Sequence, residues 1–212
     1  MHRRTRFFEI VCVGVPSTVC DSAAALISRV EAVAEAIPGV VDELEMRARR
    51  GFRMIVYIVS QEVPPEQLER VARGLGEIVE RMKQSGFAGV SFATGSSVVL
   101  YTDEMETAET AAEEALHAIF STMAGRAYIL SRFKPRNSME EWLAEEALVH
   151  HLLYNLGVVT REDLEEMKEL YTELYRMETG GAPLRHIEEL AERLARELAE
   201  KARRRAARTA SA

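Results

Sequence analysis

Two different periods of polar and apolar residues run along the 212-residue chain, and the change from one to the other divides it. Residues 7–15 (FFEIVCVGV) are rich in β-branched and aromatic side chains and end at Pro16. Ser17 or Thr18 can then cap a helix from about Cys20 to Ile37, stopped by Pro38-Gly39. Residues 40–48 and 52–60 read as two strands joined in a tight hairpin at Arg49-Arg50-Gly51. Pro64-Pro65 opens a helix to about Ser85, with Leu68, Val71, Leu75, Ile78, Val79 and Met82 at spacings of three and four, and Gly86 closes it. A second hairpin is expected to pair 88–92 with 98–102 across Thr94-Gly95-Ser96-Ser97. A helix follows from about Asp103 to Met123, with Gly125 at its C-terminal cap, and 126–133 (RAYILSRF) again alternates as a strand does.

Beyond Pro135 the strand pattern disappears. Helices are expected at about 139–156, 160–178 and 184–208, with Thr160 and Asp163 spaced as a capping box and Pro183 in a first-turn position. The pattern therefore predicts an α+β fold with a mostly antiparallel sheet: an α/β sheet domain over 1–135 and an all-helical extension over 136–212. The order β-α-β-β-α-β within residues 7–100, with IPGV at 37–40 and MIVYIV at 54–59, resembles the ferredoxin-like superfold. It is similar to several small regulatory domains of that shape, including cytoplasmic domains of cation-efflux transporters.

The tail helices carry apolar stripes at Leu164, Met167, Tyr171 and Leu174, then at Leu184, Ile187, Ala191, Leu194 and Leu198. Each is shorter than the three to four heptads that establish a coiled coil. Both must still be buried, on the α/β domain or against another copy. With a Gly180-Gly181 break ahead of the last stripe, the expectation is a homo-oligomer, with this tail as its assembly region.

Composition changes this picture in three ways. A net charge of −7 and a pI of about 5.4 exclude a uniformly basic nucleic-acid coat, while 47% hydrophobic residues exclude disorder of the whole chain. The charged residues are skewed to 23 Arg against 4 Lys and 30 Glu against 4 Asp, with 2 Asn and 3 Gln, as in chains that work hot. A thermophilic source is the expectation. Cys12 and Cys20 are too few for a secreted disulfide framework and wrongly spaced for a zinc knuckle, so the compartment reads as reducing, with Cys12 a packing residue and the state of the two thiols left open. Arg3, Arg4 and Arg6 precede an apolar stretch, but Glu9 interrupts it and no small-residue cleavage site follows. No run approaches the ~18 apolar residues of a membrane span, so a cytoplasmic protein without membrane contact is expected.

Charge by segment says more than the total. Residues 1–60 carry 8 basic and 7 acidic groups, 61–135 carry 7 and 11, 136–179 carry 4 and 11, and 180–212 carry 8 and 5. The basic groups cluster at Arg3, Arg4 and Arg6; at Arg47, Arg49, Arg50 and Arg53; at Arg126, Arg132, Lys134 and Arg136; and at Lys201, Arg203, Arg204, Arg205 and Arg208. On strands, alternation would set Arg47 and Arg49 on one face, Arg53 and Tyr57 together, and Arg126, Tyr128 and Arg132 together. Arginines interleaved with aromatics neutralise phosphates while stacking bases, each stacked base being worth about 1–3 kcal/mol.

The stretch 50–57 (RGFRMIVY) also resembles the third-strand motif of RNA-recognition domains, with Arg50, Gly51, Phe52, Ile55 and Tyr57 matching and Arg53 and Met54 departing from it. The layout of an α/β domain followed by a helical dimerisation tail is similar to the archaeal ThermoDBP group of single-strand binding proteins. The leading expectation is thus a non-enzymatic, homo-oligomeric protein that binds single-stranded DNA or RNA. Its expected interface is Arg47, Arg49, Arg50, Phe52, Arg53, Tyr57, Arg126, Tyr128, Arg132 and Lys134, together with the basic ends of the chain.

The alternative is a small-molecule or ion-sensing regulatory domain with its ligand between helices or at a subunit interface. A thiol enzyme using Cys20, at a helix N-terminus that lowers a thiol pKa, ranks last. No cofactor or metal is assigned. Only Glu114 and His117 form a Glu-x-x-His pair where a di-iron bundle needs two, and His150 and His151 diverge by about 100° on a helix.

Overall fold

The structure is a computed structural model that describes residues 1–92, 94–182 and 184–209; Pro183 and the side chain of Arg208 fall outside the described residues. Two compact units divide the chain, the first Met1–Glu31 with Leu44–Ala118 and the second Ala32–Glu43 with Ile119–Ala212.

The first unit holds a five-stranded sheet in the order β1-β2-β3-β5-β4, made from β1 (His2–Arg4), β2 (Phe8–Val13), β3 (Met54–Val59), β4 (Gly89–Ser91) and β5 (Ser96–Leu100). The class is α+β. The sheet is mixed, though, not mostly antiparallel: β2, β3 and β5 run parallel, and only β1 and β4 pair antiparallel at the two edges.

The cause lies in residues 40–48. This stretch is not the first strand of a hairpin but part of a helix, α2 (Val40–Arg49), which follows α1 (Ser17–Ala36). Asp42 and Glu43 in its first turn and Arg47 and Arg49 in its last complement the helix dipole, and Val40 and Leu44 are buried one turn apart. With no antiparallel partner before it, β3 lies beside β2 in register from Phe8↔Met54 to Val13↔Val59, and α1 and α2 supply the long crossover that a parallel pair requires. The order β-α-β-β-α-β expected over the first hundred residues is replaced by β-β-α-α-β-α-α-β-β.

The expected helix from Pro64 to Ser85 forms as two, α3 (Pro65–Val71) and α4 (Leu75–Ser85). Gly74 takes a left-handed conformation between them, and the Glu69 carboxylate accepts from both Gly74 N (2.8 Å) and Gly76 N (3.0 Å). A Cβ on Gly76 would stand 2.9 Å from the Pro65 carbonyl oxygen, so the close approach of the two helices needs glycine there. Both pack on one sheet face: Leu68, Leu75, Val79 and Met82 meet Val11, Val13, Val59, Val98 and Leu100. The alternate residues Phe8, Ile10, Cys12, Met54, Val56 and Ile58 are buried on the other face.

The second unit is helical. The 126–133 strand expected from alternation is instead α6 (Met123–Phe133), which follows α5 (Glu104–Phe120). Gly125 therefore lies in the first turn of α6 and not at the C-terminal cap of α5. Thr122 caps α6, its Oγ1 accepting from Gly125 N at 3.0 Å, while the Glu43 carboxylate accepts from Met123 N (3.2 Å) and Ala124 N (3.1 Å). With Thr122 N donating to Ile119 O at 3.3 Å, all four N–H groups that a helix leaves unpaired are satisfied, two of them by Glu43, some eighty positions away.

The last three helices form as expected: α7 (Ser138–Asn155), α8 (Arg161–Thr179) with its Thr160–Asp163 capping box, and α9 (Arg185–Thr209). The α9 stripe is not left for a second copy. Ile187, Ala191, Leu194 and Leu198 are buried within this unit, where α9 packs along α7. Leu170, Leu174 and Met177 on α8 stay exposed. Among the described residues no helix is long and apolar enough to cross a membrane.

Candidate functional site

The ten residues expected to form one interface are divided. Arg47, Arg49, Arg50, Phe52, Arg53 and Tyr57 belong to the first unit; Arg126, Tyr128, Arg132 and Lys134 belong to the second, all on α6 or at its end. Neither set presents a strand face of arginines and tyrosines.

The first set is built on the end of α2. Gly51 has φ +82°, Gly51 N donates to Ala48 O (3.1 Å) and Phe52 N donates to Arg47 O (2.9 Å). These two bonds are the Schellman closure of a helix on glycine, so the turn that sequence suggested at Arg49-Arg50-Gly51 is a helix cap and not a hairpin. A hydrophobic residue at the Phe52 position usually folds back onto the helix. Here it does not, and the ring is 71% exposed at the tip of the loop.

Arginines flank it in the sequence. Residues 44–53 contain four arginines and one carboxylate, Glu45. Glu45 accepts from Arg6 Nη2 at 3.0 Å and lies 3.7 Å from Arg49 Nη2. Arg53 Nη1 donates to the backbone carbonyl of Arg6 at 3.1 Å, drawing a fifth arginine to the patch. Arg6 is itself held from behind, because the buried Glu31 carboxylate accepts from Arg6 N (3.3 Å), Phe7 N (2.7 Å) and the Thr5 hydroxyl. Arg50 makes no ion pair or side-chain hydrogen bond among the described residues.

Tyr57 does not join the patch. It sits on β3 with Ile55, on the face that α3 and α4 cover, and burial raises its hydroxyl pKa. The match to the RNA-recognition strand motif accordingly fails in space: Phe52 precedes the strand and is exposed, while Ile55 and Tyr57 face helices.

The α6 set is chemically quieter. Arg126 grips Glu141 with two hydrogen bonds, Nε to Oε1 at 2.6 Å and Nη2 to Oε2 at 3.2 Å. Arg132 lies over its own helix neighbour, 5.3 Å from the Tyr128 ring centroid. Half-burial raises the Tyr128 pKa, and Lys134 is the C-terminal cap, in a left-handed conformation at φ +49°.

Cys12 and Cys20 are neither a lone packing residue nor a free thiol; they form a disulfide that ties β2 to the first turn of α1. The thiolate that a Cys20 enzyme needs is therefore absent. Two of the histidines pair with carboxylates on their own helices, His117 with Glu113 at 4.0 Å and His150 with Glu146 at 3.4 Å.

One arrangement gave no local sequence signal, because its members lie 17 and 37 positions apart. His151 Nε2 lies 2.8 Å from Glu188 Oε1, and Tyr171 donates its hydroxyl to Glu188 Oε2 at 2.7 Å. Burial opposes the Glu188 charge, but the bonds from His151 and Tyr171 and the nearby Lys168 outweigh it and hold its pKa below the usual carboxylate value. Burial beside that carboxylate pushes the Tyr171 pKa far up.

Compared with models of protein families, with curated proteins and with solved structures, the chain matches none.

Proposed function

We propose that the protein binds single-stranded nucleic acid through the loop that closes α2, with Arg47, Arg49, Arg50 and Arg53 on the phosphates and Phe52 stacking on a base. The observation that carries this reading is an aromatic ring 71% exposed at the tip of a glycine-capped turn, two residues from Arg50, which no carboxylate neutralises among the described residues. Exposure of so large an apolar ring costs free energy in water unless a flat partner covers it. Guanidinium groups flanking such a ring match the alternation of phosphate and base along a single strand. The α6 arginines, engaged with Glu141 and Tyr128, are not part of this interface.

The test is fluorescence anisotropy with a labelled single-stranded 20-mer. About four neutralised phosphates give a salt slope near −3, so affinity should fall about 50-fold between ~50 and ~200 mM salt. Phe52→Ala should weaken binding about tenfold, the loss of one stacked base, and a duplex of the same sequence should bind less tightly because its bases cannot reach the ring. Absence of binding at ~50 mM salt, or equal affinity of the Phe52→Ala protein, overturns the reading.

A further inference from the structure

The second unit contains a cavity of about 340 Å³ bordered by α7, α8 and α9, near the lower end of the range for small-molecule pockets. Its wall carries charges of both signs: Arg161, Lys168 and Arg196 against Glu165 and Glu192, with His151 alongside. Most of these are already committed. Lys168 Nζ lies 3.2 Å from Glu165 and 3.5 Å from Glu188, and Arg196 Nη2 lies 2.7 Å from Glu192.

Arg161 is the exception. It is the first residue of α8, and it makes no ion pair among the described residues. The cavity therefore offers one uncommitted cation, two carboxylates whose side chains are still half exposed, and an apolar surface from Leu164. A fixed polar support stands beside them: His151 is 5% exposed and locked to Glu188, which Tyr171 holds from the other side.

This distribution selects by charge. A dianion or a phosphate would meet Glu165 and Glu192; a diamine would meet three cations. A ligand with one carboxylate and one ammonium a few ångströms apart satisfies both sides. We propose that the cavity binds a free α-amino acid as its zwitterion, the carboxylate taken bidentately by Arg161 and the ammonium shared by Glu192 and Glu165. The ligand's side chain lies on Leu164. The bidentate geometry is the one for which a guanidinium fork is suited. The inference is independent of nucleic-acid binding, since every group it uses lies in the second unit.

The experiment is titration calorimetry of the full chain with each of the common α-amino acids at up to about 10 mM, beside orthophosphate, succinate and putrescine as controls, with thermal stability followed in parallel. At least one amino acid should bind. Its N-acetyl and its α-amide derivatives, each lacking one charge, should bind at least about tenfold more weakly. Arg161→Ala should weaken the free amino acid by the same factor, and the exposed position of Arg161 predicts an unchanged thermal midpoint for the unliganded variant. Three outcomes overturn the proposal: no amino acid binds, a control ligand binds at least as well, or the Arg161→Ala protein retains full affinity.

Discussion

Residues 47–53 and 126–134 look alike on paper, each a short run of basic residues with aromatics, the first expected at a hairpin turn between strands and the second largely on a strand. Both begin or end on helices instead, but they part in what surrounds them. The first ends on a glycine cap beyond which Phe52 is exposed, and Arg50 has no carboxylate partner among the described residues; the second runs along α6, where Glu141 takes Arg126 and the Tyr128 ring takes Arg132. Local composition sets which charges exist. Distant residues decide which remain available.

That contrast breaks most directly by neutralising each set in turn. Arg50→Gln with Arg53→Gln should cost about 30-fold in single-strand affinity at low salt and flatten the salt slope by about 1.4, as two phosphate contacts disappear. The matched pair Arg126→Gln with Arg132→Gln should change affinity less than about twofold in the same anisotropy assay. Equal losses from the two pairs would show that pairing with Glu141 and Tyr128 silences nothing.

The next effect is on stability. Glu43→Ala removes the acceptor for two N–H groups of α6, and the loss of a helix cap of this kind is worth about 1–2 kcal/mol. The thermal midpoint should fall by roughly 2–8 °C in a circular-dichroism melt, while affinity for the labelled strand stays unchanged. A smaller response sharpens the comparison from the other side. Glu141→Ala leaves Arg126 without its bidentate partner, and it should raise low-salt affinity about twofold if an unpaired guanidinium is all that α6 lacks. The smallest effect expected is none: guanidinium groups stay charged throughout, so affinity should hold within about twofold between pH 6 and 9, whereas an interface built on histidine would drift.

How far the sequence could be read follows the same division between local and distant causes. The long helices α7, α8 and α9 were legible because three- and four-residue spacing persists over many turns and the caps lie beside them, as Thr160 and Asp163 do. The 40–48 and 126–133 segments were not. Eight or nine residues of alternating character fit a strand and a helix equally well, and two of the N–H groups at the start of α6 are met by a carboxylate eighty residues upstream. The acidic first turn and basic last turn of α2 were a local signal that alternation overrode.

The basic cluster at 47–53 was visible in composition, but its form as a capped turn depended on recognising α2. The Cys12–Cys20 bond was invisible for a similar reason. It requires the first turn of α1 to return to the sheet, which spacing alone does not tell. The cavity of the second unit draws on three helices and leaves no trace in any one of them.

The sheet's edges bear on how the molecule behaves in a crowded solution. The segment MIVYIV at 54–59 has the apolar, β-branched, uncharged character that seeds cross-β stacking. It is the middle strand, flanked on both sides by parallel neighbours. The strands that face outward, β1 and β4, are three residues each, and β1 carries His2, Arg3 and Arg4. An approaching chain finds room for only a few backbone hydrogen bonds there, and on one side it meets positive charge. Fibril seeding by this protein is consequently limited by how often β3 is laid bare, so its rate should track global unfolding and be nearly insensitive to events at the rim.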